Sequence, residues 1–145
     1  MAANTTPIYP LTPKVSWSGT ITTANTGKDG TGTVATTFTA GMNGSRIDQI
    51  KVRALGTNVA TVLRFFINNG NSSATPTNNT LIHEVTVAAT TLSESSALAD
   101  NDLTISKGIS VAVPVPFLPA GYKLNCTIGT AVASGLQVTV WGGDY

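Results

Sequence analysis

The chain has 145 residues, of which only 10% are charged, and a formal net charge of +1, so no electrostatic field is present to steer it onto nucleic acid or anionic lipid. Hydrophobic residues make up 41% of the chain and are spread along it, which argues against disorder. The length suits one domain burying roughly 70% of the surface that its unfolded chain exposes.

The N-terminal stretch "MAANTTPIYPLTPK" has neither a basic start nor an apolar run, and no segment approaches the ~20 apolar residues of a membrane span. This predicts folding in a cytoplasm, with no membrane partner. Pro7, Pro10 and Pro13 recur every third residue, the repeat of a polyproline II helix, and predict an extended arm over residues 1–14 from which Ile8, Tyr9 and Leu11 project. Such an arm either straps a neighbouring surface or folds back over an edge of its own domain.

Residues 15–145 read as one antiparallel β-sandwich. Period-two alternation recurs between Gly, Asn and Pro punctuation, and helical periodicity is almost absent. Val15, Trp17, Gly19 and Ile21 alternate with Ser16, Ser18 and Thr20 in a first strand, and "TANTGKDGTG" breaks the run as a mobile loop. A second strand sets Val34, Thr36 and Phe38 on one face. A third turns Ile50, Val52 and Ala54 inward and Lys51 and Arg53 outward, with Ile47 out of phase, the mark of a bulge or corner. The fourth is "VLRFFI". In the fifth, Leu81, His83, Val85 and Val87 share one side and Ile82, Glu84 and Thr86 the other. Residues 90–102 offer a short helix or a strand around Ser95 to Leu98. Further strand follows, ended by Pro114, Pro116 and Pro119, which lack the donor that a central ladder needs. The last pair, "YKLNCTI" and "LQVTVWGG", brings the count to about eight, an all-β single sandwich with jelly roll as the expected topology.

Two stretches resemble each other: "GTNVATVLRFFINNG", from Gly56, and "GTAVASGLQVTVWGG", from Gly129. Each puts a short Gly-Thr-x-Val-Ala link between two strands, as a hairpin with a left-handed glycine requires. They read as equivalent corners of two Greek-key halves, or as one abundant turn used twice. In the first copy Leu63, Phe65 and Ile67 form a core face, yet Val62, Arg64 and Phe66 on the other face also include apolar side chains. A covering loop of the same chain or a second subunit must lie there. Aromatic and Arg side chains together suit an interface, so Val62, Arg64 and Phe66 are the predicted subunit contact.

Residue chemistry points away from catalysis. With one His and one Cys, the chain cannot assemble within one subunit the ligand set of a zinc site, and neither a metal nor a cofactor is expected. His83 and Glu84 point to opposite faces of their strand. Cys126 alternates with Leu124 and Ile128 and reads as a small core residue. Asp100 and Asp102 read as a turn-forming acidic pair without the rest of a calcium loop. "GKDGTG" lacks the Gly-Lys-Ser/Thr order of a P-loop. Rival readings remain a carbohydrate-binding module using Trp17, Trp141, Tyr9, Tyr122 and Tyr145 as stacking platforms, and a small hydrolase using His83.

Over residues 17–145, and most distinctively at "GSRID", "GTNVATVLRFFINNG" and the terminal "GGDY", the sequence resembles a group of small virion structural proteins of tailed bacteriophages, most of all capsid decoration or cement proteins. The resemblance implies a non-enzymatic β-sandwich or jelly roll that forms a homotrimer on the capsid surface, with the major capsid protein as partner. The arm residues Pro7, Ile8, Tyr9, Pro10 and Leu11 are then the expected capsid contact. The same motifs fit a tail or fibre component.

Overall fold

A computed structural model of the chain describes residues 9–98, 100–104 and 117–145. In chain order its strands are β1 (Thr12–Trp17), β2 (Ala35–Thr39), β3 (Ser45–Ala54), β4 (Thr61–Asn68), β5 (Asn79–Val87), β6 (Asp100–Thr104), β7 (Phe117–Leu118), β8 (Lys123–Ile128) and β9 (Leu136–Asp144). The first sheet runs β1-β9-β3-β6, with β7 pairing the start of β3, and the second runs β2-β8-β4-β5. All named pairs are antiparallel, and the sheets pack face to face as a β-sandwich.

Alternation explains the core. Ile50, Val52 and Ala54 of β3 and Leu136, Val138 and Val140 of β9 point inward from the first sheet, and meet Phe38, Leu63, Phe65, Leu124, Cys126 and Ile128 of the second. Each Leu, Ile or Phe removed from water this way contributes about 1.5–3 kcal/mol. Ile47 is also buried, and the β3–β9 register slips between Ile47 and Gln49. The bulge expected from its phase is there.

The two related links are not hairpins. The strands that each joins do not pair: residues 55–60 carry the chain from β3 in the first sheet to β4 in the second, and residues 129–135 return it from β8 to β9. They lie side by side at one end of the sandwich. Asn58 Nδ2 donates to Gly135 O (2.9 Å) and the Ser134 N–H to Asn58 Oδ1 (2.7 Å), while Thr61 Oγ1 donates to Thr130 O (3.0 Å). Of the glycines in these links only Gly135 has a positive φ, +84°. A short turn serves an arch between sheets as well as a hairpin within one, and only the partner of the next strand distinguishes them.

Residues 91–98 form neither helix nor strand, with a bend at 94–96. The segment is tied down through the Leu92 N–H, which donates to Thr57 Oγ1 (2.9 Å), and a bridge between Thr90 and Asn58. Asp100 is not in a turn. It lies in β6 and takes Lys51 (3.2 Å) and Arg53 (3.0 Å) of β3 as ion-pair partners. Pro119 follows β7 and accepts the Tyr122 N–H (3.1 Å) in the turn that leaves the sheet. Pro114 and Pro116 lie outside the described residues, as do Pro7 and Ile8 of the arm.

Candidate interaction surface

The outer face of the second sheet is covered by its own chain. Residues 24–34 cross it, starting from a bridge between Ala24 and Ile128 and the Asn25 N–H bonded to Ile128 O (2.7 Å). Asn25 organises the loop: its Nδ2 donates to Thr31 O (2.7 Å) and Thr33 O (2.9 Å), and its Oδ1 accepts the Gly27 N–H (3.0 Å). The Asp29 carboxylate accepts from the Thr31 N–H and hydroxyl (3.1 and 2.8 Å), bonds that hold its pKa below the ordinary value. Gly30, at φ +73°, lies so close that a Cβ would stand 2.6 Å from Asn79 Cβ and 3.1 Å from the Phe66 ring. Only glycine suits that position.

This corrects the expectation for Val62, Arg64 and Phe66. Phe65 points into the core, and Phe66, on the opposite face, is 0% exposed beneath the loop that Gly30 brings down on it. Arg64 pairs with Glu84 (Nε to Oε1, 2.7 Å) and donates to Asn25 O (3.2 Å). Val62 is half-buried. The "GKDGTG" stretch is thus part of a hydrogen-bonded cover, and the alternative of an intrachain loop over this face is the observed one.

The uncovered apolar surface lies instead on the first sheet. In β1, Thr12, Lys14 and Ser16 lie on the inward side, whereas Pro13, Val15 and Trp17 face solvent, with Val15 50% and Trp17 61% exposed. The strand is amphipathic with the usual sense reversed, since no β1 residue belongs to the core cluster. Lys14 takes the place of an apolar core residue: its Nζ lies 4.9 Å from the centroid of the Phe38 ring, donates to Thr39 O (2.7 Å) and pairs with Asp144 (3.0 Å). Val15 stands opposite Trp141 of β9 and Trp17 opposite Thr139. Val15, Trp17 and the half-buried Trp141 thereby share one outward patch, as diagonal or direct cross-strand neighbours.

The expected boundary of the arm moves. Thr12, Pro13 and Lys14 belong to β1 and pair with Asp144, Gly143 and Gly142. Pro10 closes over Gly143, where a Cβ would come within 2.6 Å of the Pro10 Cβ. Tyr9 and Leu11 stay 67% and 84% exposed.

Asp144 buckles this corner. It accepts from Ser45 Oγ, from Lys14 Nζ and from the Gly41 N–H (3.3 Å). Burial alone would raise its pKa, but the Ser45 and Lys14 hydrogen bonds, the Lys14 charge and the Gly41 N–H outweigh it and hold the carboxyl below the ordinary value. A depressed folded-state pKa means stability that is complete above the unfolded value of about 4 and is lost as pH falls through the folded one. Asp144→Asn is expected to lower stability near neutrality by about 1–2 kcal/mol, less than for a fully buried charge because the group is partly solvated. Urea titrations of both proteins check it: the gap between them should narrow on acidification below about pH 4.

The residues weighed for chemistry sit apart. His83 stacks on Phe65 (centroids 6.5 Å apart, planes at 26°), while Glu84 faces the other way onto Arg64. Cys126 is in the core, where burial pushes its thiol pKa far up. An open groove of about 190 Å³ between residues 19–23 and 33–35 is lined by Thr20, Thr22, Thr23 and Thr33 with Ile21 and Val34, small beside the ~300–1,000 Å³ of ligand pockets. Comparison with protein-family models, curated proteins and solved structures returns no match.

Proposed function

We propose that the chain is a non-enzymatic virion structural protein of a tailed bacteriophage, one that decorates and stabilises the capsid by binding the lattice of major capsid protein as a homo-oligomer. The observation that carries this reading is the reversed amphipathicity of β1. A strand selected only for its own fold would turn Val15 and Trp17 inward and Lys14 outward, so the apolar exterior is explained by a surface that covers it in an assembly. The sequence resemblance supports the same class. So does the pairing pattern: β1 with β9, β2 with β8, β3 with β6 and β4 with β5 is the set that an antiparallel ribbon wound on itself produces, which makes a jelly roll the topology we infer.

Tyr9, Pro10 and Leu11 are the described part of the proposed capsid contact. Replacing Tyr9 and Leu11 together by Glu should leave the melting temperature unchanged, since both side chains are exposed, while weakening binding to shells that lack the protein by at least about tenfold, or ~1.4 kcal/mol. Sedimentation of shells with each protein checks it, and equal binding by the two rejects that contact. No binding by the parent protein rejects the decoration reading.

A second reading, a carbohydrate-binding module on a tail or fibre, draws on Trp17 and Trp141 sharing an outward face beside Gln49 and Thr139. Indoles stack on sugar faces and amides bind hydroxyls. Glycan-array binding that Trp17→Ala abolishes would favour it.

A further inference from the structure

We infer that the outward strip of β1 is the contact between two copies of this chain, joined edge to edge about a two-fold axis with Val15 of each copy opposite Trp17 of the other. The inference rests on the homo-oligomer of the proposed function, whose subunit contact it moves from β4 to β1.

The backbone selects a strand as occupant. The Ser18 N–H donates to Val138 O (2.9 Å) and the Val138 N–H to Ser18 Oγ (3.0 Å). Counting back in twos through the β1–β9 register, Ser16, Lys14 and Thr12 turn their peptide groups to β9, and Pro13, Val15 and Trp17 turn theirs to the open edge. Among the described residues no strand lies beyond that edge. Pro13 has no N–H, so the usable edge is the short run that Val15 and Trp17 provide.

Chemistry selects the same strand of a second copy. Two antiparallel copies registered Val15 to Trp17 make four backbone hydrogen bonds, two for each such pair, and ask for no donor from Pro13. The same register sets Val15 against the indole of the partner on both sides of the axis, an aromatic–β-branched pair of the kind that stabilises sheets. Pro13, Val15, Trp17 and Trp141 carry no charge, so the strip of a second copy buries no unpaired ion. The nearby cations of the same sheet, Lys51 and Arg53, are occupied by Asp100. A two-fold contact departs from the trimer that the resemblance implies. Its size places it with small, concentration-dependent interfaces.

Multi-angle light scattering of the full chain across a concentration series tests it. The parent should approach twice the chain mass as concentration rises, and the double variant Val15→Glu, Trp17→Glu should stay at the chain mass with its far-ultraviolet spectrum unchanged. A parent that stays monomeric, a parent trimer, or a double variant that still dimerises overturns the inference. A second variant guards against misfolding of the first. Ser16 faces its own copy across the axis in this register, at the ~4.5 Å Cα separation of a non-hydrogen-bonded pair, within the range of a disulfide. Ser16→Cys should therefore oxidise to a covalent dimer, and failure to do so overturns the register. These readings need no shell, so a dimer that binds no capsid would reject the decoration reading and leave this contact standing.

Discussion

Phe66→Ala is expected to destabilise the protein by about 3–5 kcal/mol, the usual cost of emptying a buried phenylalanine site, a large share of the ~5–15 kcal/mol that holds a domain together. The ring is fully buried yet lies outside the main core cluster, clamped between β4 and the loop that Gly30 brings down on it. Truncation leaves a cavity under a cover whose own bonds run mainly through Asn25. Chemical denaturation of a dilute sample checks the prediction. A loss below about 1 kcal/mol would mean that the loop collapses onto the vacated site, or that it contributes little to begin with.

Gly142→Ala should have a comparable effect from a single methyl group. A Cβ at Gly142 would run into the backbone carbonyl oxygen of Arg46, beside the bulge where β3 slips register against β9. The obstacle is main chain, so no rotamer change relieves it and a central strand pair must separate. Overpacking of this kind costs about 1–3 kcal/mol when side chains give way, and more when backbone must move. The variant should accumulate in the insoluble fraction or melt well below the parent, as a thermal scan beside Gly121→Ala would show. Gly121 has open space around its Cβ but a φ of +73°, so that control carries backbone strain without a clash and should lose less.

The terminal "GGDY" thus has three physical reasons: Gly142 admits the β3 bulge, Gly143 admits Pro10, and Asp144 ties Lys14 to the turn before β3. None is visible locally, because each concerns a residue more than ninety positions away in the chain.

What the sequence determined by itself is the class of fold and most of its inward faces. Alternation with period two is a local property, so Ile50, Val52 and Ala54, or Leu124, Cys126 and Ile128, declare a shared face without knowledge of any partner. The out-of-phase Ile47 declared its bulge in the same way. Tertiary structure decided which shared face is the inner one and which strands meet. Val15 and Trp17 alternate as regularly as any core pair, yet face solvent because Lys14, bonded to Asp144 and stacked on Phe38, occupies the inner side. Phe66 reads as surplus on an outer face until a loop from residues 24–34 arrives to bury it. The two Gly-Thr-x-Val-Ala links read as hairpins until the strands after them pair in the opposite sheet. Periodicity sets the relative orientation of neighbouring side chains, whereas the side that becomes the core is settled by non-local pairing, and with it the surface left for a partner.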